Sequence, residues 1–233
     1  MLAAGMIAVP TFPPNSSGKL DRLKSIKNDS SAKYILCSKS LAIDLTSLTL
    51  NREHIIYIED LISLKTTLEV SPAPNVIRSG EIAFLQYTSG STGSPKGVCV
   101  SHGNIINNLS LIQNVVQTSV PDDKQTLVSW LPPYHDMGLI FGILFPLFKG
   151  VKCHFMAPQS FIKSPYKWLK LISDTKATIT GAPNFAFDLC TYGIPSEKLS
   201  SLNLSSLQAI FNGAEPVHLK TLDLFLEKFS QKM

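Results

Sequence analysis

The residues best suited to chemistry stand together at Thr88 to Gly97, which reads TSGSTGSPKG. Apart from Lys96, every one is Gly, Ser, Thr or Pro. Glycine lets a backbone come close to a ligand and accepts positive φ. Serine and threonine add hydroxyl donors. Successive N–H groups in such a turn form a concavity that binds anions. Lys96 adds a mobile point charge. The set suits a polyphosphate. It is not the common P-loop, which needs G-x-x-x-x-G-K-[ST] opening a helix. Here Lys96 lies between Pro95 and Gly97, and a β-rich run follows. A helix dipole therefore adds nothing. Composition alone leaves a second reading, a plain surface turn between two strands. The uniform small polar character, directly after the apolar run Ile82 to Tyr87, favours phosphate.

Three further stretches carry polar residues where catalysis or binding could use them. NGAEP (Asn212 to Pro216) follows a strand-like run and precedes a helical one. Ligands of parallel sheets gather at the carboxyl ends of strands, and the small Gly213 and Ala214 would let a flat ring approach. The competing reading is a strand-to-helix turn with Glu215 as a solvated charge at a helix N-terminus. His135 and Asp136 follow another strand-like run, ahead of Gly138. Adjacent residues rarely face each other, so a His–Asp dyad is not expected. A satisfied structural histidine is one reading of His135. In GAPNFAFDLC, Gly181, Ala182 and Pro183 end a strand and Asn184, Phe185, Phe187 and Asp188 open a helix. Capping by Asn184 and core packing by Phe187 would account for them without a ligand. His54, His102, His154 and His218 show no ligand spacing with Cys, Asp or Glu, so no structural metal site is expected. Trp130 and Trp168 read as core.

The elements that must position these residues alternate. Residues 16–28 form an amphipathic helix with Leu20, Leu23 and Ile26–Lys27 at helical spacing. YILC (Tyr34 to Cys37) and HIIYI (His54 to Ile58) are short β-rich runs. Residues 66–80, with Pro72, Pro74 and Gly80, read as a linker or long loop. Strands then follow at Ile82 to Tyr87, Gly97 to Ser101, Thr126 to Trp130, VKCHFM, Ala177 to Thr180 and Leu207 to Phe211. Helices lie between and after them at 102–117, 137–149, 164–175, 183–192 and 218–231. Such alternation gives βαβ units, an α/β fold with largely parallel sheets flanked by helices.

Composition sets the outer bounds. The 233 residues are 44% hydrophobic and 16% charged, enough to bury a sizeable core. The net charge of +4, without a basic run, gives no reason to expect nucleic-acid binding. The four cysteines are scattered without a C-x-x-C pair, which suits a reducing compartment. MLAAGMIAVP lacks the basic start of a signal peptide and reads as a buried internal segment. The apolar run Met137 to Phe148 has twelve residues, against about 20 for a membrane span. A soluble cytoplasmic protein with no membrane span is expected. Both ends of the chain read as cuts through a larger fold.

The string YTSGSTGSPKGV resembles the phosphate-loop signature of the adenylate-forming superfamily, which holds acyl-CoA synthetases, luciferases and peptide-synthetase adenylation domains. VSWLPPYHDMGLI, TGAPNFAFDLC, IFNGAEPV and AGMIAVPTFPP are similar to the matching motifs of the fatty acyl-AMP ligases, in the right order. Ala182 stands where family members commonly carry Gly. The resemblance implies part of the large N-terminal domain: residues 1–80 a partial N-terminal subdomain, 81–233 an incomplete nucleotide- and acyl-binding core. It implies that a fatty acid is activated with ATP and Mg²⁺ to an acyl-adenylate, then passed to the phosphopantetheine thiol of an acyl carrier protein. It places Thr88, Ser89, Gly90, Ser91, Thr92, Gly93 and Lys96 around the β- and γ-phosphates. It places adenine on Asn212 to Pro216, chiefly on the backbone of Gly213, Ala214 and Glu215. It puts His135 at the mouth of the acyl pocket, near the reacting carboxylate, and makes His135 and Lys96 the catalytic residues of this stretch. It puts Gly181, Ala182, Pro183, Asn184 and Phe185 where the carboxylate meets the α-phosphate. It also implies that a glutamate for Mg²⁺, an aspartate for the ribose and a mobile C-terminal domain with a catalytic lysine lie beyond this stretch. The stretch alone is then expected to be a weak or inactive catalyst with an uncovered sheet edge. A non-catalytic nucleotide-binding module and an acyl-CoA synthetase fragment are the two alternatives.

Overall fold

Apolar strand-formers separated by amphipathic stretches become, in the second half of the chain, one parallel sheet with helices on both faces. The computed structural model describes residues 1–14, 17–41, 54–63, 76–88, 95–116 and 119–233. The chain divides into two compact units, Met1–Ile105 and Ile106–Met233.

In the first unit, α1 (Ser17–Ser30) buries Ile26. Strands β1 (Ile35–Cys37) and β2 (Ile55–Tyr57) pair in parallel, and α2 (Ile58–Ser63) follows directly. Strands β3 (Ile82–Thr88) and β4 (Lys96–Ser101) are antiparallel. This pair departs from the parallel arrangement that the alternation implied. With no helix between them, the strands close as a hairpin rather than a crossover. The opening segment also departs from expectation. Met6 and Ile7 are each 50% exposed, while Ala8 pairs with Phe84 in a parallel bridge. Most of the expected 66–80 linker lies outside the described residues. Ser101 then caps α3 (His102–Val115). Its Oγ accepts the Asn104 N–H at 3.1 Å while Asn104 Oδ1 accepts the Ser101 N–H at 3.0 Å, a reciprocal capping box.

In the second unit the sheet order is β6-β5-β7-β8 and every pair is parallel. The strands are β5 (Thr126–Ser129), β6 (Lys152–Phe155), β7 (Ile179–Ala182) and β8 (Ala209–Asn212). Between β5 and β6 runs one helical rod: α4 (Asp136–Leu139), a π-helical stretch (Ile140–Leu144) and α5 (Phe145–Lys149). Pro146 accounts for the widening. It has no N–H to give the Gly142 carbonyl, and its ring would press on that oxygen. The Gly142 oxygen accepts the Cys153 thiol at 3.5 Å. Burial pushes that thiol's pKa up to about 12, so it stays a donor. After β6 come α6 (Pro158–Lys163) and α7 (Tyr166–Thr175), which buries Trp168, Leu169 and Ile172. Then α8 (Asn184–Gly193) and α9 (Leu219–Phe229) flank β8 in sequence.

Side chains on β7 show that both faces are covered. Thr180 Oγ1 accepts Trp168 Nε1–H of α7 at 3.0 Å. The next residue, Gly181, points the other way, where an added Cβ would lie 2.8 Å from the Phe141 ring of the π-helical stretch. Trp130, Trp168 and Phe187 are core, as their sequence context indicated. Among the described residues, no helix is long and apolar enough to cross a membrane.

Candidate functional site

Thr88 is the last residue of β3 and Lys96 the first of β4, and the two face each other across the ladder. Paired residues share one face of a hairpin, with Cβ atoms about 5 Å apart. The neighbouring pair, Tyr87 and Gly97, takes the opposite face. There the Tyr87 ring lies over Gly97, where a Cβ would sit 2.8 Å from Cζ. The Tyr87 hydroxyl donates to Asp29 Oδ2 of α1 at 2.5 Å. Desolvation, then this bond to Asp29, pushes the Tyr87 pKa up to about 12. So α1 grips one face of the hairpin end, while Thr88 and Lys96 stand exposed on the other. Ser89, Gly90, Ser91, Thr92 and Gly93 lie outside the described residues. The β-type flank on both sides of the loop is as read from sequence.

In the second unit the topology itself marks a site. From β5 the chain moves to β6 on one side, and from β7 to β8 on the other. The strand order therefore reverses between β5 and β7, the point where α/β sheets open a crevice at their carboxyl ends. Three sequence-predicted segments emerge there from neighbouring strands. Trp130 to His135 follow β5, Pro183 to Phe185 follow β7, and Gly213 to Pro216 follow β8.

His135 is exposed and precedes α4. Gly138 locks that entry: an added Cβ would lie 2.0 Å from the Pro132 carbonyl oxygen. Asp136 turns its carboxylate onto the Met137 N–H at 2.7 Å. Phe185 is 41% exposed and meets Trp130 edge-on, with ring centroids 6.1 Å apart. Trp130 stacks in turn on Phe161, at 3.9 Å and 10°. Gly181 and Ala182 are buried within β7, and Gly181 makes room for Phe141.

The polar residues of the site are tied together over long range. Glu215 Oε1 accepts the Phe185 N–H at 2.7 Å. It thus caps α8 rather than the helix that follows it in sequence. Asn184 is the first residue of α8 and does not cap it; its side chain faces Asn212, His218 and Thr221 instead. Gly213 donates its N–H to Ala182 O at 3.4 Å. A Cβ on Gly213 would meet nothing within 4 Å, so the strand end offers an open flank to a flat ring. Ala214 holds φ at 68°, which non-glycine residues rarely adopt. Asn212 Oδ1 and Trp130 Nε1 are buried without a partner. Sequence reasoning missed the Glu215–Phe185 link, the Thr221 contact and the Asp29–Tyr87 anchor. Each joins residues distant in the chain. Among the described residues, no three His, Cys, Asp or Glu side chains gather to hold a metal ion.

The chain matches the AMP-binding enzyme family over residues 1–233. It is 37% identical, over 266 residues, to the medium-chain-fatty-acid–[acyl-carrier-protein] ligase TtuA of Teredinibacter turnerae, covering 97% of this chain and 41% of that protein. It is 35% identical over 234 residues to the long-chain-fatty-acid–AMP ligase FadD26 of Mycobacterium tuberculosis, covering 98% and 40% respectively. Among solved structures it is similar to a fatty acyl-adenylate ligase from L. pneumophila in complex with acyl adenylate and pyrophosphate. There the TM-score is 0.87 and the identity 42%, over 99% of this chain and 40% of that one. The chain thus spans about two-fifths of the length of these relatives.

Proposed function

The chain belongs to the AMP-binding enzymes, and from that premise we propose that it is the nucleotide- and acyl-facing core of a fatty acyl-AMP ligase. The carboxylate oxygen of a fatty acid attacks the α-phosphorus of ATP, and pyrophosphate leaves with the electron pair of the broken P–O bond. The phosphopantetheine thiol of an acyl carrier protein then attacks the acyl carbonyl, its proton is lost, and AMP leaves. Residues 1–80 serve as a partial N-terminal subdomain and 81–233 as the core.

One observation carries the reading. The carboxyl ends of β5, β7 and β8 lie side by side in the sheet, so the segment Gly181 to Phe185 falls between the His135 segment and the Asn212–Pro216 segment. A carboxylate that must meet an α-phosphate belongs between an acyl entrance and a base site. Thr88, the Ser89 to Gly93 loop and Lys96 take the β- and γ-phosphates, where N–H, hydroxyl and ammonium donors stabilise charge as pyrophosphate departs. Gly213, Ala214 and Glu215 take the adenine by backbone contact, and the open flank of Gly213 fits a flat base. Mg²⁺ would arrive with ATP, held mainly by phosphate oxygens, and would neutralise phosphate charge. The protein acts in the cytoplasm.

The test is pyrophosphate exchange with dodecanoate and ATP, on the protein carrying this sequence. Exchange is expected, and Lys96→Ala is expected to slow it about a hundredfold. Absence of exchange sinks the ligase reading; an unchanged rate in Lys96→Ala removes that lysine from the phosphates. Offering coenzyme A beside holo carrier protein decides the acceptor, and rapid thioester formation with coenzyme A contradicts the carrier-protein assignment.

A further inference from the structure

Asn184 holds both ends of the segment Gly213 to Val217. Its Oδ1 accepts Asn212 Nδ2–H at 3.1 Å, where β8 ends. The same oxygen accepts the His218 N–H at 3.0 Å, at the cap of α9. Its Nδ2 donates to Thr221 Oγ1 at 3.2 Å, and that hydroxyl donates to Asp188 Oδ2 at 3.2 Å. The His218 donor is a backbone N–H, so it fixes which end of the amide carries the oxygen. Glu215 pins the middle of the segment by accepting the Phe185 N–H. Between these pins Ala214 sits at φ 68°, a conformation that persists when its surroundings over-determine it.

Asn184 itself is 3% exposed. Both acceptor sites of its oxygen are used within the protein. We propose that Asn184 is a positioning residue: it preorganises Gly213–Val217 to receive a purine nucleotide and acts on the ligand only through that segment. Because Asn184 precedes Phe185, the same amide ties the segment after β7 to the segment after β8. A nucleotide that orders one therefore favours the ordered form of the other. This inference rests on the reading of Asn212 to Pro216 as the base-binding stretch.

The test pairs two readouts on the protein carrying this sequence, amide hydrogen exchange at Gly213–Val217 without ligand and the Kd for ATP. Asn184→Leu removes the pins. Exchange in the segment is expected to quicken, and the ATP Kd to rise, each about tenfold. Thr221→Val cuts the far bond and leaves the two loop pins, so it lowers stability while the ATP Kd stays within about twofold. Should Asn184→Leu not fold, Asn212→Ala deletes the β8 pin alone and carries the same expectation. Unchanged exchange in the pin-removing variant overturns the clamp and leaves the nucleotide reading standing. Faster exchange with an unchanged Kd overturns the link between the clamp and the nucleotide. No saturable ATP binding by the wild-type protein carrying this sequence overturns the nucleotide reading and this inference with it.

Discussion

At Gly213 the backbone and the ligand make separable demands. The residue has space where a Cβ would go, so packing does not require glycine there. Its φ lies outside the range that side chains avoid. Gly213→Ala is therefore expected to leave stability within about 0.5 kcal/mol of wild type. The added methyl fills the flank assigned to adenine, so ATP binding is expected to weaken about tenfold, or ~1.4 kcal/mol. A urea titration beside an ATP binding isotherm checks both halves, and a stable variant with unchanged affinity would place the base elsewhere. Gly138 is the opposite case. Its missing Cβ would lie 2.0 Å from a backbone carbonyl oxygen, which has little freedom to yield. Gly138→Ala is expected to cost about 3 kcal/mol. It would also move the loop that carries His135. A urea midpoint equal to wild type would show that the α4 entry relaxes more freely than this contact allows.

At the scale of elements, the β3–β4 hairpin presents Thr88 and Lys96 because Tyr87 is anchored on the other face. The raised Tyr87 pKa gives that anchor a pH signature. The folded form holds the phenol proton more tightly than the unfolded chain, whose tyrosines titrate near 10. The anchor's contribution is thus fully present below about pH 10 and is lost as pH rises towards about 12. Unfolding free energy is expected to fall across that window in the wild type. Tyr87→Phe is expected to cost about 1 kcal/mol near neutrality and to flatten the alkaline slope. Urea titrations at stepped pH, beside tyrosinate absorbance, measure it; equal slopes in the two proteins would remove Tyr87 as the cause. Much of this scale was legible in the sequence. Short apolar runs mark β5 and β7, which are covered on both faces, and a helical period marks α7 and α8, where burial on one face imposes it. The alternation alone did not give the pairing sense of β3 and β4, which is set by the short connection without a helix between them. The π-helical stretch has one local sign, Pro146 inside an apolar run. The cap that Glu215 gives α8 has none, since its partner lies thirty residues away.

Across the whole molecule, motifs were legible as short strings and their convergence was not, because strand order is set by tertiary packing rather than by local pattern. Parallel pairing brings the three segments to one end of the sheet, and the order β6-β5-β7-β8 sets them side by side. The same order leaves β8 with one neighbour among the described strands. A strand end with unpaired backbone groups invites pairing with another chain. Apolar side chains add to it: Leu219 is 76% exposed on α9 and Val115 72% exposed on α3, with Leu226, Ile106 and Leu111 also exposed. Removing such surface from water is worth about 25 cal/mol per Å². The net charge of +4 opposes association only weakly. The 233-residue chain prepared alone is therefore expected to self-associate as its concentration rises from ~1 to ~100 μM. The double variant Leu219→Lys with Leu226→Lys puts like charges on the exposed face of α9 and is expected to shift that association to higher concentration. Sedimentation velocity across the range decides the matter: a wild-type chain that stays monomeric throughout shows that these surfaces are too dispersed to act as one.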